Sequence, residues 1–215
     1  MKKIPESTVG RLSLYLRLLD ELAVDGPPTL SSEELAGRAG TTAAQVRKDL
    51  SFFGTFGKRG LGYSVAQLAS ALRTILGLER RWRVALVGAG QIGKALIGYR
   101  DFERQGFGIE AVFDSDPAKI GQRWQDLEVR GACELEAVLR DGIDIVIVAV
   151  PAEAAQGVVD RVVASGVRAV LNFAPTKLRV PEGVAVKSVN MAVELESLSY
   201  ALVHDAAAQR SRRLS

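Results

Sequence analysis

A glycine-rich motif in the middle of the chain is the feature best suited to ligand chemistry. Gly88, Gly90 and Gly93 follow the apolar run 83–87 and precede a stretch of helical character. In a dinucleotide-binding turn the first glycine permits a sharp bend, the second lets the backbone approach a pyrophosphate, and the third allows close packing of helix on strand. The amides at the start of the helix favour phosphates. We therefore predict a dinucleotide site formed by Gly88, Ala89, Gly90, Gln91, Ile92 and Gly93.

An acidic residue at the end of the next apolar run indicates which dinucleotide would bind. Asp114 follows the run 109–113 and lies about 25 residues after Gly88. A carboxylate there can accept hydrogen bonds from the ribose hydroxyls of adenosine, whereas a 2′-phosphate would meet like charge. We therefore expect NADH and NAD⁺ rather than their 2′-phosphorylated counterparts. The alternative is that Asp114 is a surface aspartate in a turn.

The elements that must position these residues are those of a parallel sheet. The apolar segment 143–150 is typical of a central strand buried on both faces, and Pro151 can begin a crossover helix over 152–165. Segments 169–173 and 184–186 supply the last strands. Ligands of such sheets bind at the carboxyl ends of the strands. The residues expected around the nicotinamide are therefore Ala149, Val150, Pro151, Asn172, Phe173 and Ala174, although Asn172 could equally be a loop amide with its own partners.

Charge divides the chain into two parts. Residues 1–82 contain twelve Lys and Arg against eight Asp and Glu, whereas residues 83–215 contain 16 against 17. Between Arg38 and Arg73 six basic residues accompany one acid, Asp49. A basic region of this kind favours a polyanion as its partner.

The order of helices in the front part is typical of a helix-turn-helix. A first helix is predicted over 6–24, and capping boxes at 31–34 and 42–45 begin a second and a third. Gly40 can take the left-handed conformation of the intervening tight turn, and the third helix should run through Phe52. Such spacing predicts a recognition helix that enters the major groove of DNA.

The third helix and the segment after it carry the candidate DNA contacts. Val46 and Leu50 should face the core. Residues 54–63 are predicted to form a wing, with two β-like arms around a Lys-Arg tip that could enter a minor groove. The alternative is a solvated basic surface. The predicted contacts are Thr42, Gln45, Arg47, Lys48, Ser51, Lys58, Arg59 and Tyr63.

The end of the chain predicts an amphipathic helix that needs a partner surface. Met191, Leu195, Leu198 and Leu202 recur at helical spacing. Dimerisation is the simplest way to bury this stripe. The expected organisation is a winged-helix domain over 1–78, a dinucleotide domain over 79–190, and a dimerisation helix with tail over 191–215.

Cysteine content and apolar run length give expectations about location. The single cysteine, Cys133, excludes an intrachain disulfide and favours a reducing compartment. The longest clean apolar run, 145–150, is too short to cross a bilayer. We expect a cytoplasmic protein that uses neither a membrane nor a metal.

Five segments of the chain resemble signatures of the Rex family of bacterial redox-sensing repressors, and the resemblance covers essentially the full length. It implies a homodimer with a swapped C-terminal helix, which binds DNA when NADH is scarce and releases it when NADH accumulates. It also implies that Tyr99 lies near the nicotinamide. Asn190, which we include among the predicted cofactor-site residues, stands where the family typically carries an aspartate after its last strand. This departure bears on how the site would distinguish NADH from NAD⁺. The matching segments are 46–54, 57–63, 88–93, 171–175 and 192–195.

The fold class favoured by these observations is α/β, with an N-terminal winged helix-turn-helix, a Rossmann-type doubly wound parallel sheet and a C-terminal swapped helix. The expected function is that of an NADH-responsive repressor rather than an enzyme. A small NAD-dependent dehydrogenase with an accessory nucleic-acid-binding domain is an alternative, but no substrate domain fits into the residues after 190. A third reading assigns coenzyme A to the second domain, and Asp114 argues against it.

Overall fold

The computed structural model describes residues 4–57 and 60–213, with side chains as far as His204. The chain divides into two compact units, Met1–Arg80 and Arg81–Ser215, which we call the first and the second unit. Among the described residues, no helix combines the length and apolar character that a membrane crossing requires.

The first unit is a small helical domain with a two-stranded antiparallel ladder. Its core is built from leucines of all its longer helices together with Tyr15, whose side chain is fully buried. Its helices are α1 (Glu6–Asp25), α2 (Ser32–Ala39), α3 (Ala43–Ser51) and α4 (Val65–Leu76), and its strands are β1 (Thr29–Leu30) and β2 (Tyr63–Ser64).

Local capping explains where α2 and α3 begin. The Ser31 hydroxyl accepts the N–H of Glu34 at 3.1 Å while the Glu34 carboxylate accepts the N–H of Ser31 at 2.6 Å, so the first predicted box is confirmed. Only half of the second box forms. The Thr42 hydroxyl accepts the N–H of Gln45 at 3.2 Å, but the Gln45 amide turns away to Asp49, where a buried carboxylate offers a stronger acceptor.

The predicted wing differs from a regular hairpin. Of its two expected arms, only Tyr63–Ser64 is a strand, and it pairs with Thr29–Leu30 instead of with residues 54–57. The pairing of two arms within 54–63 stays a prediction, because Lys58 and Arg59 between the arms lie outside the described residues. Gly54 (φ +134°) and Gly57 (φ +75°) adopt positive φ values, which keep this segment out of an extended ladder.

The second unit is built on a seven-stranded sheet in the order β5-β6-β4-β3-β7-β8-β9. All neighbouring pairs are parallel except the edge pair β5–β6. Without β5 this is the 3-2-1-4-5-6 order of a dinucleotide-binding fold, and the order reverses between β3 and β7. The predicted doubly wound parallel sheet is confirmed. Its strands are β3 (Trp82–Val87), β4 (Phe107–Asp114), β5 (Arg123–Trp124), β6 (Leu127–Gly131), β7 (Ile145–Val148), β8 (Ala169–Asn172) and β9 (Ala185–Ser188).

The two faces of this sheet are covered to different degrees. One face packs under α7 and α8, where Val146, Val159 and Val162 are fully buried. On the opposite face, which we call the open face, Ile109, Ile145 and Leu171 are only partly buried. The helices of the second unit are α5 (Gln91–Ile97), α6 (Asp101–Arg104), α7 (Leu135–Arg140), α8 (Ala152–Ala164) and α9 (Met191–Arg213).

Candidate functional site

The three glycines of the motif have the separate roles that their spacing predicts. Gly88 has φ +108°, and a Cβ atom there would overlap the carbonyl of Ala149. A Cβ atom on Gly93 would overlap the carbonyl of Gly88, so a side chain would push α5 off the strand. A Cβ atom on Gly90 would meet nothing within 4 Å. The backbone at Gly90 is therefore open to a ligand, while Gly88 and Gly93 keep the turn tight.

A cavity of about 600 Å³ opens where β3, β4 and β7 end. We call it the central cavity. It lies at the point where the strand order reverses, which is the expected position of a ligand in an open parallel sheet. The predicted residues that line it are Gly88, Gly90, Gln91, Ile92, Asp114, Ala149, Val150, Pro151 and Phe173.

Asp114 joins the glycine loop to the segment after β4. Its carboxylate accepts the N–H of Ala89 at 2.7 Å and the N–H of Asp116 at 2.8 Å. The ammonium of Lys119 lies 3.0 Å from the same oxygen that Ala89 contacts. Burial raises the pKa of Asp114, but the hydrogen bonds from Asp116, Lys119 and Ala89 outweigh burial and hold this pKa below its ordinary value. An ionised acceptor therefore faces the cavity at neutral pH.

Four predicted cofactor residues are buried in the fold and do not line the central cavity. Asn172 is fully buried, and its amide donates to the carbonyls of Ala174 and Thr176 while its oxygen accepts the N–H of Ala174 at 2.9 Å. Asn172 thus fits the alternative of a satisfied loop amide, which shapes the turn that carries Phe173. Ala89, Gly93 and Ala174 are likewise buried within the fold.

Tyr99 and Asn190 lie outside the central cavity of this chain. The Tyr99 ring is 50 % exposed and packs edge-on against Phe102, with 5.0 Å between ring centroids. The Asn190 side chain accepts the N–H of Ala192 at 3.1 Å and so caps α9. The position near the nicotinamide that the family resemblance implies for Tyr99, and the expected contribution of Asn190 to the cofactor site, stay predictions.

Several cavity residues were not identified from the sequence. Lys119 and Asp116 come from the loop after β4, and Arg161 comes from α8. Arg161 donates two hydrogen bonds to the Glu136 carboxylate, which lower the pKa of Glu136 to about 2. The acidic-basic sequence 114–119 directly after a strand was the available signal for Lys119. Arg161 is positioned by tertiary packing alone.

The candidate DNA-reading surface lies on α3. The Arg47 guanidinium donates to the Ser32 hydroxyl at 2.6 Å and to the Glu33 carboxylate at 3.2 Å. Lys48 is exposed. The Ser51 hydroxyl donates to the carbonyl of Lys48 at 2.7 Å.

Three predicted contacts belong to the segment after α3. Tyr63 is 8 % exposed and packs into the core of the first unit, where burial raises the pKa of its hydroxyl. Its ring therefore has a structural role. Lys58 and Arg59, the predicted wing tip, lie outside the described residues.

The sequence did not predict a buried carboxylate on α3. Asp49 is fully buried and accepts hydrogen bonds from Arg11 and Tyr15 of α1 and from Gln45 of its own helix. The Thr8 hydroxyl donates as well, at 3.2 Å. Burial raises the pKa of Asp49, but its hydrogen bonds from Arg11, Gln45 and Tyr15 outweigh burial and hold this pKa below its ordinary value. The signal in the sequence was one acid among six cations.

The last helix exposes its apolar side chains in the single chain. Leu195, Leu198 and Leu202 are 66 %, 62 % and 74 % exposed. The open face of the sheet carries a shallow apolar groove of about 410 Å³, which includes Ile109, Ile145 and Leu171. Both surfaces are apolar beyond what isolated surface residues explain.

Two family models match the chain in the order of its two units. Residues 3–51 match the family described as a putative DNA-binding protein N-terminus. Residues 79–176 match the family described as a CoA binding domain.

Named relatives cover nearly the whole chain. The redox-sensing transcriptional repressor Rex of Carboxydothermus hydrogenoformans is 48 % identical over 94 % of this chain and 98 % of its own length. The protein of the same name from Streptomyces coelicolor is 47 % identical over 92 % of this chain and 77 % of its own length.

Solved structures also match nearly the whole chain. A crystal structure of the protein RSP in complex with β-NAD⁺ and operator DNA has a TM-score of 0.91 and 35 % identity, and covers 99 % of this chain and 98 % of that one. RSP in complex with β-NADH has a TM-score of 0.88 and 34 % identity, with 98 % and 99 % covered. A further structure describes RSP as a Rex-family repressor.

Proposed function

This chain belongs to the Rex family of redox-sensing transcriptional repressors, and we propose that it binds operator DNA when NADH is scarce and releases the DNA when NADH occupies the central cavity. The observation that carries the proposal is the open glycine loop beside ionised Asp114 at the reversal point of the sheet, in one chain with a helix-turn-helix unit. A repressor acts where chromosomal DNA lies, so the proposal includes a cytoplasmic location.

The cavity supports a preference for the reduced cofactor. The glycine loop can receive the pyrophosphate, and Asp114 can accept the adenosine ribose hydroxyls. Ala149, Val150 and Phe173 line the remaining part with apolar groups. NAD⁺ carries a positive nicotinamide ring, whereas the ring of NADH is neutral, so an apolar wall imposes a desolvation cost on NAD⁺ alone. NADH is therefore expected to bind more tightly.

The exposed cations of α3 support DNA recognition. A guanidinium can make a bidentate contact with guanine, and an ammonium can approach a phosphate. Arg47 is 54 % exposed and its partner Glu33 is 69 % exposed, so their ion pair is weak and DNA can replace it. Lys48 is free to approach the backbone of the duplex.

The switch follows from linkage between the two ligands. If NADH lowers the DNA affinity by a given factor, DNA must lower the NADH affinity by the same factor. A 100-fold effect corresponds to about 2.7 kcal/mol of coupling. The nucleotide therefore acts as a signal, and its reduced state is read without being consumed.

The proposed protein is a homodimer in which α9 of one protomer packs on the open face of its partner. The helix has 23 residues and is about 35 Å long, enough to cross several strands. Its exposed leucines need an apolar surface, and the groove on the open face offers one. Exchange of this helix would bury both surfaces together.

Titration of operator DNA at fixed salt tests the switch. With the operator of a Rex-family repressor as probe, NADH should weaken binding at least about 10-fold, while NAD⁺, NADPH and coenzyme A have much smaller effects. Arg47→Ala should weaken DNA binding by about 1–3 kcal/mol and leave NADH binding intact, with Arg104→Ala as the control for loss of one cation. DNA binding that ignores NADH would contradict the proposal, and NADH turnover with a second substrate would favour the dehydrogenase.

Analytical ultracentrifugation tests the dimer. Leu198→Glu/Leu202→Glu should produce monomers at concentrations where the wild type is dimeric, because two charges would face an apolar groove. Glu194→Gln/Glu196→Gln changes charge on the same helix without adding to it and serves as the control. A persistent dimer in the leucine variant would require a different interface.

A further inference from the structure

The acceptor capacity of Asp114 limits what can bind beside it. An ionised carboxylate has about four acceptor positions, two on each oxygen. Among the described residues three donors already reach it: the N–H groups of Ala89 and Asp116 and the ammonium of Lys119. A ribose diol brings two further O–H donors. The two hydroxyls therefore compete with the three protein donors for the acceptor positions of this carboxylate.

Lys119 is the donor best able to leave. The N–H groups of Ala89 and Asp116 belong to the backbone of two tight turns, so their movement would disturb the glycine loop or the end of β4. The Lys119 side chain ends a flexible stem, is 33 % exposed, and has a second carboxylate, Asp116, at 3.8 Å. It can swing toward Asp116 or solvent while it stays beside the ribose.

We propose that Lys119 reduces the discrimination that the two neighbouring carboxylates impose between nucleotides with and without a 2′-phosphate. Its ammonium competes with the ribose of NADH for Asp114, and it attracts a phosphate attached to the 2′ oxygen. Asp114 and Asp116 outweigh this one cation, so the wild-type cavity still favours NADH, by a smaller margin than the two carboxylates alone would give. The inference rests on the proposed binding of NADH in the central cavity.

Lys119 should weaken the binding of NADH and strengthen the binding of NADPH, and these opposite effects permit a direct test. Calorimetric titration of the full-length Lys119→Met protein should show NADH binding strengthened by about 3-fold, because a partly exposed competing donor is gone. NADPH binding should weaken by about 10-fold, because a charge-assisted hydrogen bond to the phosphate is lost. Lys119→Arg should keep the wild-type preference. Lys94→Met removes an exposed cation of α5 that does not line the cavity, and should change neither affinity.

Each outcome supports or contradicts the proposed role of Lys119. Opposite shifts for NADH and NADPH in Lys119→Met, absent in Lys119→Arg, support the inference. Equal shifts for the two nucleotides would overturn it, because a residue that merely supports the loop affects both alike. If the wild-type protein binds NADH and the Lys119→Met preference is unchanged, the inference alone is wrong. If the wild type binds neither nucleotide, the proposed function fails instead.

Discussion

Asp49 in the first unit and Asp114 in the second are held in different ways. Both carboxyls have a pKa below the ordinary value for aspartate, and in both cases hydrogen bonds overcome the effect of burial. Asp49 is fully buried and receives its described hydrogen bonds from side chains of α1 and α3. Asp114 is 10 % exposed, receives two backbone N–H groups and one ammonium, and faces a cavity.

The difference separates an anchor from a group that we propose binds a ligand. Five described hydrogen bonds already use the fully buried carboxylate of Asp49, so this group fixes α3 on α1 and is closed to a ligand. Asp114 keeps an acceptor position and can exchange one donor. A lowered pKa alone does not identify a binding site. The proposal for Asp114 rests in addition on its spare acceptor capacity and its access from a cavity.

Removal of the anchor should have the largest effect. Asp49→Ala leaves the Arg11 guanidinium without its partner and should reduce the local free energy of unfolding of the first unit by about 3 kcal/mol. Hydrogen exchange of α1 and α3 amides measures this loss. Asp20→Ala, which removes an exposed partner of Arg73, is the matched control and should have little effect. Equal protection in both variants would mean that Asp49 is not an anchor.

Removal of Asp114, the proposed ligand-binding carboxylate, should affect nucleotide binding more than folding. Asp114→Ala should weaken NADH binding by about 2 kcal/mol and narrow the preference over NADPH, because the ribose acceptor and the repulsion of a 2′-phosphate are both lost. Calorimetry with the two nucleotides measures this change. Asp160→Ala on α8 is the control for loss of an exposed aspartate. Unchanged selectivity in Asp114→Ala would show that another group reads the ribose.

Acid should weaken both aspartate networks, with a sign that follows from the lowered pKa values. The folded carboxyls hold their protons less tightly than the unfolded ones, so their contribution to stability is complete above about pH 4 and is lost as the pH falls through the folded-state pKa. Urea unfolding followed by circular dichroism should show the free energy of unfolding falling by up to about 1.4 kcal/mol per pH unit for each such carboxyl. Asp49→Asn should flatten this dependence, and a wild-type slope in that variant would contradict the assignment.

Loss of one hydrogen-bond donor to Asp49 should have the smallest effect on stability. Tyr15→Phe removes the hydroxyl that donates to Asp49 at 3.0 Å but keeps the buried ring, and should cost about 1 kcal/mol in hydrogen-exchange stability of α1. The pKa of Tyr15 is raised to about 12, through burial first and its bond to Asp49 second, so the hydroxyl stays protonated. Tyr99→Phe, with a half-exposed ring, is the control. A larger loss than that of Asp49→Ala would reverse the ranking of the two residues.

The sequence by itself determined the features that depend on neighbours along the chain. The glycine loop is one, because the three spacings of 88–93 act within a single turn between strand and helix. The capping box at Ser31 and the left-handed Gly40 are others, since their partners lie within three or four residues. The doubly wound parallel class of the sheet also followed from the sequence, because apolar runs alternate with helical segments. The strand order was not predicted.

Only the tertiary structure decided which distant groups meet. Arg11 and Asp49 are 38 residues apart in the chain, and Arg161 and Glu136 are 25 apart, so no local pattern links them. Tyr63 was expected at the DNA surface, but its strand pairs with β1 and turns the ring into the core. The sequence does not show which way a charged or aromatic side chain points. The packing of helices and strands decides this, because buried polar groups must find partners and buried rings must fill space.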